Sequence, residues 1–266
     1  MKKIIKDIEL RLNINIDEND IHIFNEGKTD ALVFSIKDKY LIKKTTKEEL
    51  DIIRLFLLDN KCDYFQKLIY INYELSYACL SFLKGNKFND DLDVDYLISA
   101  LYDITSNYRE IDYDGYGYLY SDHKTWSEFL NDEVDYSTEM IKGEKLNITP
   151  VKEALKVVSK VDVPQYLIHG DFGTHNFITN DNKLYVIDPM GVVGDPIYDF
   201  YFSIMSSSYI FTKINYNKLL EFFDRNIEYK KAMMIISFYI RLCRTYKYDK
   251  DEYPIYVEYY NKLIKE

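Results

Sequence analysis

The sequence predicts an α+β fold of two lobes, in which a small N-terminal lobe with an antiparallel sheet and one main helix precedes a larger, mostly helical C-terminal lobe. Two observations predict this order. Short apolar runs between turn residues dominate the N-terminal third of the chain, as in strands joined by hairpins. Further along, apolar residues recur mainly at helical spacing. The 266 residues, 47% of them hydrophobic, suffice for a large core in one or two domains.

The N-terminal lobe is predicted to begin with a short amphipathic helix over residues 2–12, where apolar residues recur at helical spacing. Apolar runs bounded by turn residues then predict strands at 21–24, 31–36, 39–44, 68–73 and 77–82. Between the third and fourth strands, Thr46 is a candidate N-cap for a helix that extends to about residue 58. Glu49, three positions after Thr46, would close a capping box.

A turn at residues 84–86, Lys-Gly-Asn, marks the predicted boundary between the lobes and divides the chain into residues 1–83 and 84–266. Apolar residues at helical spacing predict helices in the second lobe at 94–107, from 126 onward, and at about 195–208, 216–226, 230–245 and 252–264. A hairpin interrupts these helices, because 176–179 and 184–187 have the pattern of strands joined by a polar turn.

The most informative segment surrounds that hairpin. Asp171 and Asn176 precede its first strand, in the sequence His-Gly-Asp-Phe-Gly-Thr-His-Asn, and Asp188 follows its second strand. Because a hairpin returns the chain to its starting point, we expect the three side chains to converge. Two carboxylates and a carboxamide suit Mg²⁺, which takes few protein oxygens and leaves positions for phosphate oxygens. The segment therefore predicts a site for a divalent cation and a phosphorylated ligand.

The spacing of these residues resembles the catalytic core of kinases, in which an asparagine follows the catalytic-loop aspartate five positions later. Residues 169–171 (His-Gly-Asp) and 187–189 (Ile-Asp-Pro) differ from the protein-kinase motifs and look like those of the aminoglycoside phosphotransferase family. Residues 194–200 (Gly-Asp-Pro-Ile-Tyr-Asp-Phe) resemble a third block of that family. The resemblance implies a bilobal protein-kinase-like fold.

For the catalytic centre, the resemblance implies a role for each of three residues. Asp171 would be the catalytic base that orients the acceptor hydroxyl and accepts its proton. Asn176 and Asp188 would hold Mg²⁺ against the phosphates of the donor nucleotide.

For the nucleotide, the resemblance implies a lysine at the end of the third strand that binds the phosphates and a glutamate on the next helix that pairs with this lysine. Lys43 and Glu49 are the candidates. Lys43 can point into a cleft if its neighbour Ile42 faces the core. Lys44 and Glu48 remain alternatives because the motif does not fix the register.

The rest of the nucleotide site leaves a weaker pattern. A turn that contains Gly27 precedes Thr29, and the resemblance implies that the Thr29 hydroxyl lies near the phosphates. The segment after the fifth strand resembles the family's linker, which implies that the backbones of Ser81 and Leu83 bond the nucleotide base. Backbone recognition leaves little trace in a sequence, so both ATP and GTP stay open as the donor.

Four other polar residues near the motifs receive structural interpretations. His169 is predicted to be a buried, hydrogen-bonding strut of the loop, and His175 is assigned no chemistry. Asp195 and Asp199 look like the structural acids of the family, and Asp195 precedes a proline suited to the first position of a helix.

The composition narrows the expected partners and compartment. A formal net charge of −10 argues against nucleic acid and is compatible with a small cationic acceptor. The three cysteines, Cys62, Cys79 and Cys243, are widely spaced and match neither a disulfide framework nor a zinc pattern, so a reducing cytoplasm is expected. The charged N-terminus does not resemble a signal peptide, and no apolar run has the length of a membrane span.

The expected function is ATP- or GTP-dependent transfer of the γ-phosphoryl group to a hydroxyl of a small molecule, with an aminoglycoside or related antibiotic as the expected acceptor. The main alternative is a metabolic kinase of the choline, fructosamine, methylthioribose or homoserine type, because a fold does not fix the acceptor. Two further alternatives are a non-catalytic nucleotide-binding module and a metal-dependent hydrolase with His169, Asp171 and His175 as ligands.

Overall fold

The structure is a computed structural model that describes residues 1–24, 32–60, 62–90, 92–181 and 183–265. The chain divides into two compact units. The first consists of residues 1–87 together with 177–190, and the second of residues 88–176 together with 191–266. Within the described ranges, no helix is both long enough and apolar enough to cross a membrane.

Strands are concentrated in the first unit and helices in the second. In chain order, the helices are α1 (Lys2–Leu12), α2 (Lys47–Asp59), α3 (Val94–Ser106), α4 (Trp126–Met140), α5 (Thr149–Val158), α6 (Pro196–Ile204), α7 (Ser208–Phe211), α8 (Tyr216–Leu219), α9 (Ile227–Tyr248) and α10 (Tyr253–Leu263). The strands are β1 (Ile21–Phe24), β2 (Leu32–Ile36), β3 (Tyr40–Lys44), β4 (Leu68–Asn72), β5 (Tyr77–Ser81), β6 (Asn86–Lys87), β7 (Gly117–Tyr118), β8 (Tyr166–Ile168), β9 (Phe177–Asn180), β10 (Lys183–Val186) and β11 (Val192–Gly194).

The first unit is built on an antiparallel sheet, as the sequence predicts, and the strands lie in the order β1-β2-β3-β5-β4. One face of this sheet packs against α1 in a core cluster whose buried members are Ile4, Ile8, Phe34, Ile36, Ile42, Tyr77 and Cys79. The carboxylate of Asp7 on α1 accepts hydrogen bonds from Asn72 on β4 (2.7 Å) and from the hydroxyl of Tyr77 on β5. These partly buried bonds fix the helix to the sheet.

The helix α2 begins at the predicted N-cap. The Thr46 hydroxyl accepts the backbone N–H of Glu49 at 3.2 Å. The second half of the predicted capping box does not form, because the Glu49 carboxylate instead accepts a hydrogen bond from the hydroxyl of Thr45. Its carboxylate is thereby directed toward the end of β3.

The predicted hairpin forms from β9 and β10, which pair in antiparallel register from Phe177 with Val186 to Asn180 with Lys183. The strand β6 pairs with the other edge of β9. The hairpin packs with the N-terminal part of the chain, since the Val186 N–H donates to the carbonyl of Tyr64 at 2.8 Å. The residues that precede Asp188 therefore belong to the first unit.

The second unit is mostly helical, with the long helix α9 packed against α4, α5, α6 and α10. It also contains a small antiparallel sheet in the order β7-β11-β8. The sequence pattern does not indicate this sheet, because runs of two or three residues are too short for an alternating pattern. The sheet is relevant to the site because β8 leads directly into the His-Gly-Asp segment.

Two predicted helices of the second unit have the wrong length. The segment predicted as a helix over 195–208 divides into α6 and α7, and the one predicted over 216–226 ends at Leu219. In the second case Phe223 has a φ of 59°, which no α-helix contains. The buried ammonium of Lys230 satisfies the carbonyls of Leu220 and Phe223, so the chain turns without exposing them.

Candidate active site

The loop that carries Asp171 has a fixed backbone. Gly170 has a φ of +82°, a region that residues with a Cβ rarely adopt. A Cβ at this position would also lie 2.4 Å from Cγ2 of Val192 on β11. Only glycine permits both this conformation and this close approach, and it thereby sets the position of Asp171 relative to β11.

Asp199 on α6 holds the backbone of the same loop through hydrogen bonds. Its buried carboxylate accepts the backbone N–H of His169 at 2.7 Å, that of Gly170 at 3.1 Å, and the hydroxyl of Tyr108 at 2.9 Å. His169 is itself fully buried, and its Nδ1 accepts the N–H of Asp171 at 3.3 Å. The predicted strut role of His169 and the scaffold role of Asp199 are confirmed.

Asp195, the other predicted structural acid, is also buried. Its carboxylate caps α6 by accepting the N–H of Ile197 at 3.1 Å. It also accepts hydrogen bonds from Arg225 (3.3 Å) and from the hydroxyl of Tyr229 on α9 (3.1 Å). Asp195 therefore joins the start of α6 to α9, as expected for a scaffold residue.

The Asp171 side chain is partly buried, with 24% of its surface exposed. Oδ2 lies 2.9 Å from Nε2 of His175, and Nδ2 of Asn176 donates to the Asp171 carbonyl at 2.9 Å. Burial raises the pKa of Asp171, but the hydrogen bond from His175 and the charges of His175 and Arg244 outweigh it and hold that pKa well below the usual range. Asp171 is therefore ionised at physiological pH.

Sequence reasoning did not identify Arg244 and Glu133 as site residues. Nη1 of Arg244 on α9 lies 3.6 Å from Oδ1 of Asp171, and its Nη2 donates to Glu133 on α4 at 2.8 Å. One available signal was the position of Glu133, which lies at helical spacing with the buried residues Trp126 and Leu130. An acid on the apolar face of a helix indicates a buried cationic partner.

In the first unit, Lys43, Glu49 and Asp188 come together. Ile42 is fully buried in the core, so the next residue of β3, Lys43, points to the opposite face. The Lys43 ammonium donates to Oδ1 of Asp188 and lies 3.9 Å from Oε2 of Glu49. The alternatives are both exposed, Lys44 at the end of β3 and Glu48 on the outer side of α2. The geometry thus favours the pair Lys43 and Glu49.

Asp188 adopts an uncommon backbone conformation, with a φ of 62°. Non-glycine residues in this region are a few per cent of the total, and such strain is concentrated at functional sites. The side chain is 55% exposed, and the ion pair with Lys43 involves only one of its two carboxylate oxygens. Within the part of the chain that the structure describes, the second oxygen has no hydrogen-bond partner and is available to a ligand.

The oxygens of Asn176 and Asp188 have the chemistry that Mg²⁺ requires. Because the Asn176 amide nitrogen donates to Asp171, its carbonyl oxygen is the atom that remains for a metal. Mg²⁺ prefers oxygen ligands and usually combines one or two protein groups with water and phosphate oxygens. Among the described residues, no group of three or more His, Cys, Asp or Glu is arranged as a metal site.

The other three residues predicted to bind the nucleotide are Thr29, Ser81 and Leu83. Thr29 and the turn around it lie outside the described residues. The Ser81 N–H donates to the carbonyl of Lys67 at 2.9 Å, and its own carbonyl accepts a bond from Gln66 at 3.1 Å. Of the Ser81 backbone groups, only the second lone pair of the carbonyl oxygen is therefore left to accept a hydrogen bond from a nucleotide base. Leu83 is half-buried and follows the end of β5.

We expect Asp199 to give the fold a measurable pH dependence. Burial raises its pKa from 3.8 to about 7, although the three hydrogen bonds lower it. Because the pKa of Asp199 is higher in the folded state than in the unfolded state, its contribution to the unfolding free energy is fully present below pH 3.8. This contribution is lost as the pH rises toward 7, by up to about 1.4 kcal/mol per pH unit. The unfolding free energy of wild type, relative to that of Asp199→Asn, should therefore fall between pH 4.5 and pH 7. Denaturant titrations at both values measure this, and a constant difference would contradict it.

Comparisons with known proteins agree with this fold. No family model matches the chain, and no curated protein is significantly similar to it in sequence. Solved structures with a similar fold include those of an aminoglycoside phosphotransferase, a protein assigned as a fructosamine-3-kinase, and a choline kinase.

The first is a thermostable mutant of the aminoglycoside phosphotransferase APH(4)-Ia in complex with AMP-PNP and hygromycin B, with 14% identity, coverage of 99% of this chain and 98% of that chain, and a TM-score of 0.64. The protein assigned as a fructosamine-3-kinase comes from Haemophilus somnus 129PT, with 16% identity, coverage of 100% and 97%, and a TM-score of 0.63. The choline kinase comes from Cryptosporidium parvum Iowa II, with 13% identity, coverage of 100% and 94%, and a TM-score of 0.56.

The matches extend over almost the whole of each chain, while the identities are low. An antiparallel sheet in the N-terminal part of the chain and a mostly helical C-terminal part are the arrangement that the sequence predicts. The chain therefore has the α+β, protein-kinase-like fold of small-molecule kinases.

Proposed function

We propose that this protein is a kinase that transfers the γ-phosphoryl group of ATP or GTP to a hydroxyl of a small molecule. The observation that carries the proposal is Asp171, an ionised and partly buried carboxylate on a loop whose backbone is fixed by Gly170 and Asp199. Phosphoryl transfer depends mainly on positioning and charge neutralisation, and a rigid carboxylate supplies the first of these.

In the proposed reaction, Asp171 orients the acceptor hydroxyl and takes up its proton. The acceptor oxygen forms a bond to the γ-phosphorus, the bond from that phosphorus to the bridging oxygen breaks, and ADP or GDP leaves. Lys43, oriented by Glu49, binds the donor phosphates. Ser81 and Leu83 are proposed to contact the base through the Ser81 carbonyl and the Leu83 backbone, and Thr29 to cover the phosphates.

Asn176 and Asp188 are the proposed Mg²⁺ ligands. The metal would neutralise charge on the phosphates. Two features support the proposal for Asp188. Its strained backbone holds the carboxylate outward, and Lys43 occupies only one of its oxygens.

For the acceptor, we propose an aminoglycoside or related antibiotic. The similar APH(4)-Ia structure contains hygromycin B and the nucleotide analogue AMP-PNP. The net charge of −10 also favours a cationic acceptor. A metabolic kinase is the second candidate, because structures assigned as fructosamine-3-kinase and choline kinase are about as similar to this chain. The wide spacing of Cys62, Cys79 and Cys243 in the sequence fits the proposed cytoplasmic location.

The decisive experiment is a screen for ATP and GTP consumption with Mg²⁺ over aminoglycosides, macrolides, hydroxylated amines and sugars. The proposal expects turnover that requires both a nucleotide and one hydroxylated acceptor. A chain that binds nucleotide but phosphorylates no acceptor would instead support a non-catalytic nucleotide-binding module.

The charge of the acceptor leads to a separate prediction. A cationic acceptor attracted by an acidic protein should bind more weakly as salt screens the attraction, since the Debye length falls from about 10 Å at 0.1 M to about 3 Å at 1 M. We therefore expect the acceptor KM to rise steeply with ionic strength, while the KM for Mg·ATP changes less. Initial rates at several salt concentrations measure both constants. A flat acceptor KM would exclude the aminoglycoside and leave the metabolic kinase.

A further inference from the structure

We propose that Arg244 is a positioning residue for phosphoryl transfer, because its guanidinium, held by Glu133, fixes the Asp171 carboxylate in one orientation. The inference rests on the proposed function for the reaction. Its geometry lies entirely within the second unit, to which all three residues belong.

The guanidinium of Arg244 spans two carboxylates. Nη2 donates to Oε2 of Glu133 at 2.8 Å, and Nη1 lies 3.6 Å from Oδ1 of Asp171. The first contact is a short charge-assisted hydrogen bond, whereas the second is an ion pair at a longer distance. Glu133 therefore anchors the guanidinium, and Asp171 is the group that it orients.

The anchor is itself fixed. The other carboxylate oxygen of Glu133 accepts the hydroxyl of Tyr118 at 2.9 Å, and Tyr118 lies on β7, which pairs with β11. The Arg244 guanidinium also lies 5.2 Å from the ring centre of Phe202 on α6. Contacts to α4 and α6 leave this mostly buried side chain little freedom, and a support of this kind preserves the geometry of a catalytic group.

The two sides of Asp171 are bound by different parts of the chain. Oδ2 faces His175 and Asn176, which belong to the same loop, whereas Oδ1 faces Arg244 from α9. Contacts on both oxygens oppose rotation of the carboxylate. Arg244 thereby places a positive charge between the two carboxylates.

The closing experiment compares variants of the full-length chain at two positions of the same helix. Arg244→Lys keeps the charge but loses the fork that reaches both carboxylates. Arg244→Met combined with Glu133→Gln removes the cation and its buried partner together, so no buried charge is left without a partner. Arg241→Lys is the matched control. Arg241 lies one turn earlier on α9 at the same 5.2 Å from the Phe202 ring, and no carboxylate of the described residues pairs with it.

Turnover is measured as Mg·ATP hydrolysis with water as the acceptor, and thermal unfolding confirms that each variant is folded. Since a displacement of about 1 Å can cost about 100-fold in rate, we expect the double variant to lose about 10–100-fold in kcat with the KM for Mg·ATP within about twofold. Arg244→Lys should recover part of that loss, and the control should match wild type. A folded double variant with wild-type kcat, or one changed only in KM, would overturn the inference.

A second readout does not depend on turnover. The ¹⁵N signals of the Arg244 Nη groups report their ion pairs, so Asp171→Asn should shift them and leave those of Arg241 unchanged. If wild type shows no hydrolysis but this shift occurs, the proposed function fails while the contact stands. If the shift is absent, Arg244 does not orient Asp171, whatever the activity.

Discussion

Replacement of Asp171 by asparagine is expected to lower the rate of phosphoryl transfer by about 10²–10⁴-fold, or about 3–5 kcal/mol of barrier. The amide has the same size as the carboxylate and can keep one acceptor oxygen, but it cannot take up the proton of the acceptor hydroxyl. Nucleotide binding should be nearly unchanged, because the proposed nucleotide contacts lie elsewhere in the chain. Single-turnover transfer to the acceptor found in the screen, together with nucleotide titrations, measures both effects.

The chain supplies a matched control for this change. Asp132 on α4 also pairs with a histidine, since its Oδ2 lies 2.8 Å from Nε2 of His123, but 74% of its side chain is exposed. Asp132→Asn removes an Asp–His contact of the same kind without touching Asp171, so it should leave transfer within about threefold of wild type. If Asp171→Asn is equally mild, another group is the base.

Replacement of Asp188 by asparagine is expected to remove the gain in nucleotide affinity that Mg²⁺ provides and to abolish transfer. A neutral amide cannot balance the charge of the metal, and it also loses the ion pair with Lys43. Mutations of groups that only support a metal ligand typically cost about 10–100-fold, so loss at the ligand itself should reach at least about 100-fold. Nucleotide titrations with and without Mg²⁺ measure the change.

Asp181 provides the corresponding control. It lies in the turn of the same hairpin as Asp188 and also has a positive φ, of 49°. Asp181→Asn therefore makes the same chemical change in a similar backbone conformation, away from Lys43. It should leave the Mg²⁺-dependent gain intact. If the gain also survives Asp188→Asn, Asp188 is not the metal ligand.

Local patterns in the sequence determined the features that depend on neighbouring residues. Alternation in β3 placed Ile42 in the core and Lys43 on the opposite face, because strand geometry has a period of two. The hydroxyl of Thr46 capped α2 because an N-cap needs only the first turn of its helix. The hairpin that ends before Asp188 followed from two apolar runs and a polar turn. The fold class followed from the order of such elements.

Tertiary packing decided what those patterns could not specify. It grouped residues 177–190 with the N-terminal unit, and it turned the Glu49 carboxylate toward Lys43 instead of the helix N-terminus. It also joined Glu133 to Arg244 across α4 and α9 and set Arg244 beside Asp171. Periodicity shows that a position is buried, whereas the partner of a buried charge depends on which helices pack together. The sequence by itself therefore determined the fold class and the motif residues, and only the tertiary structure decided which charges surround them.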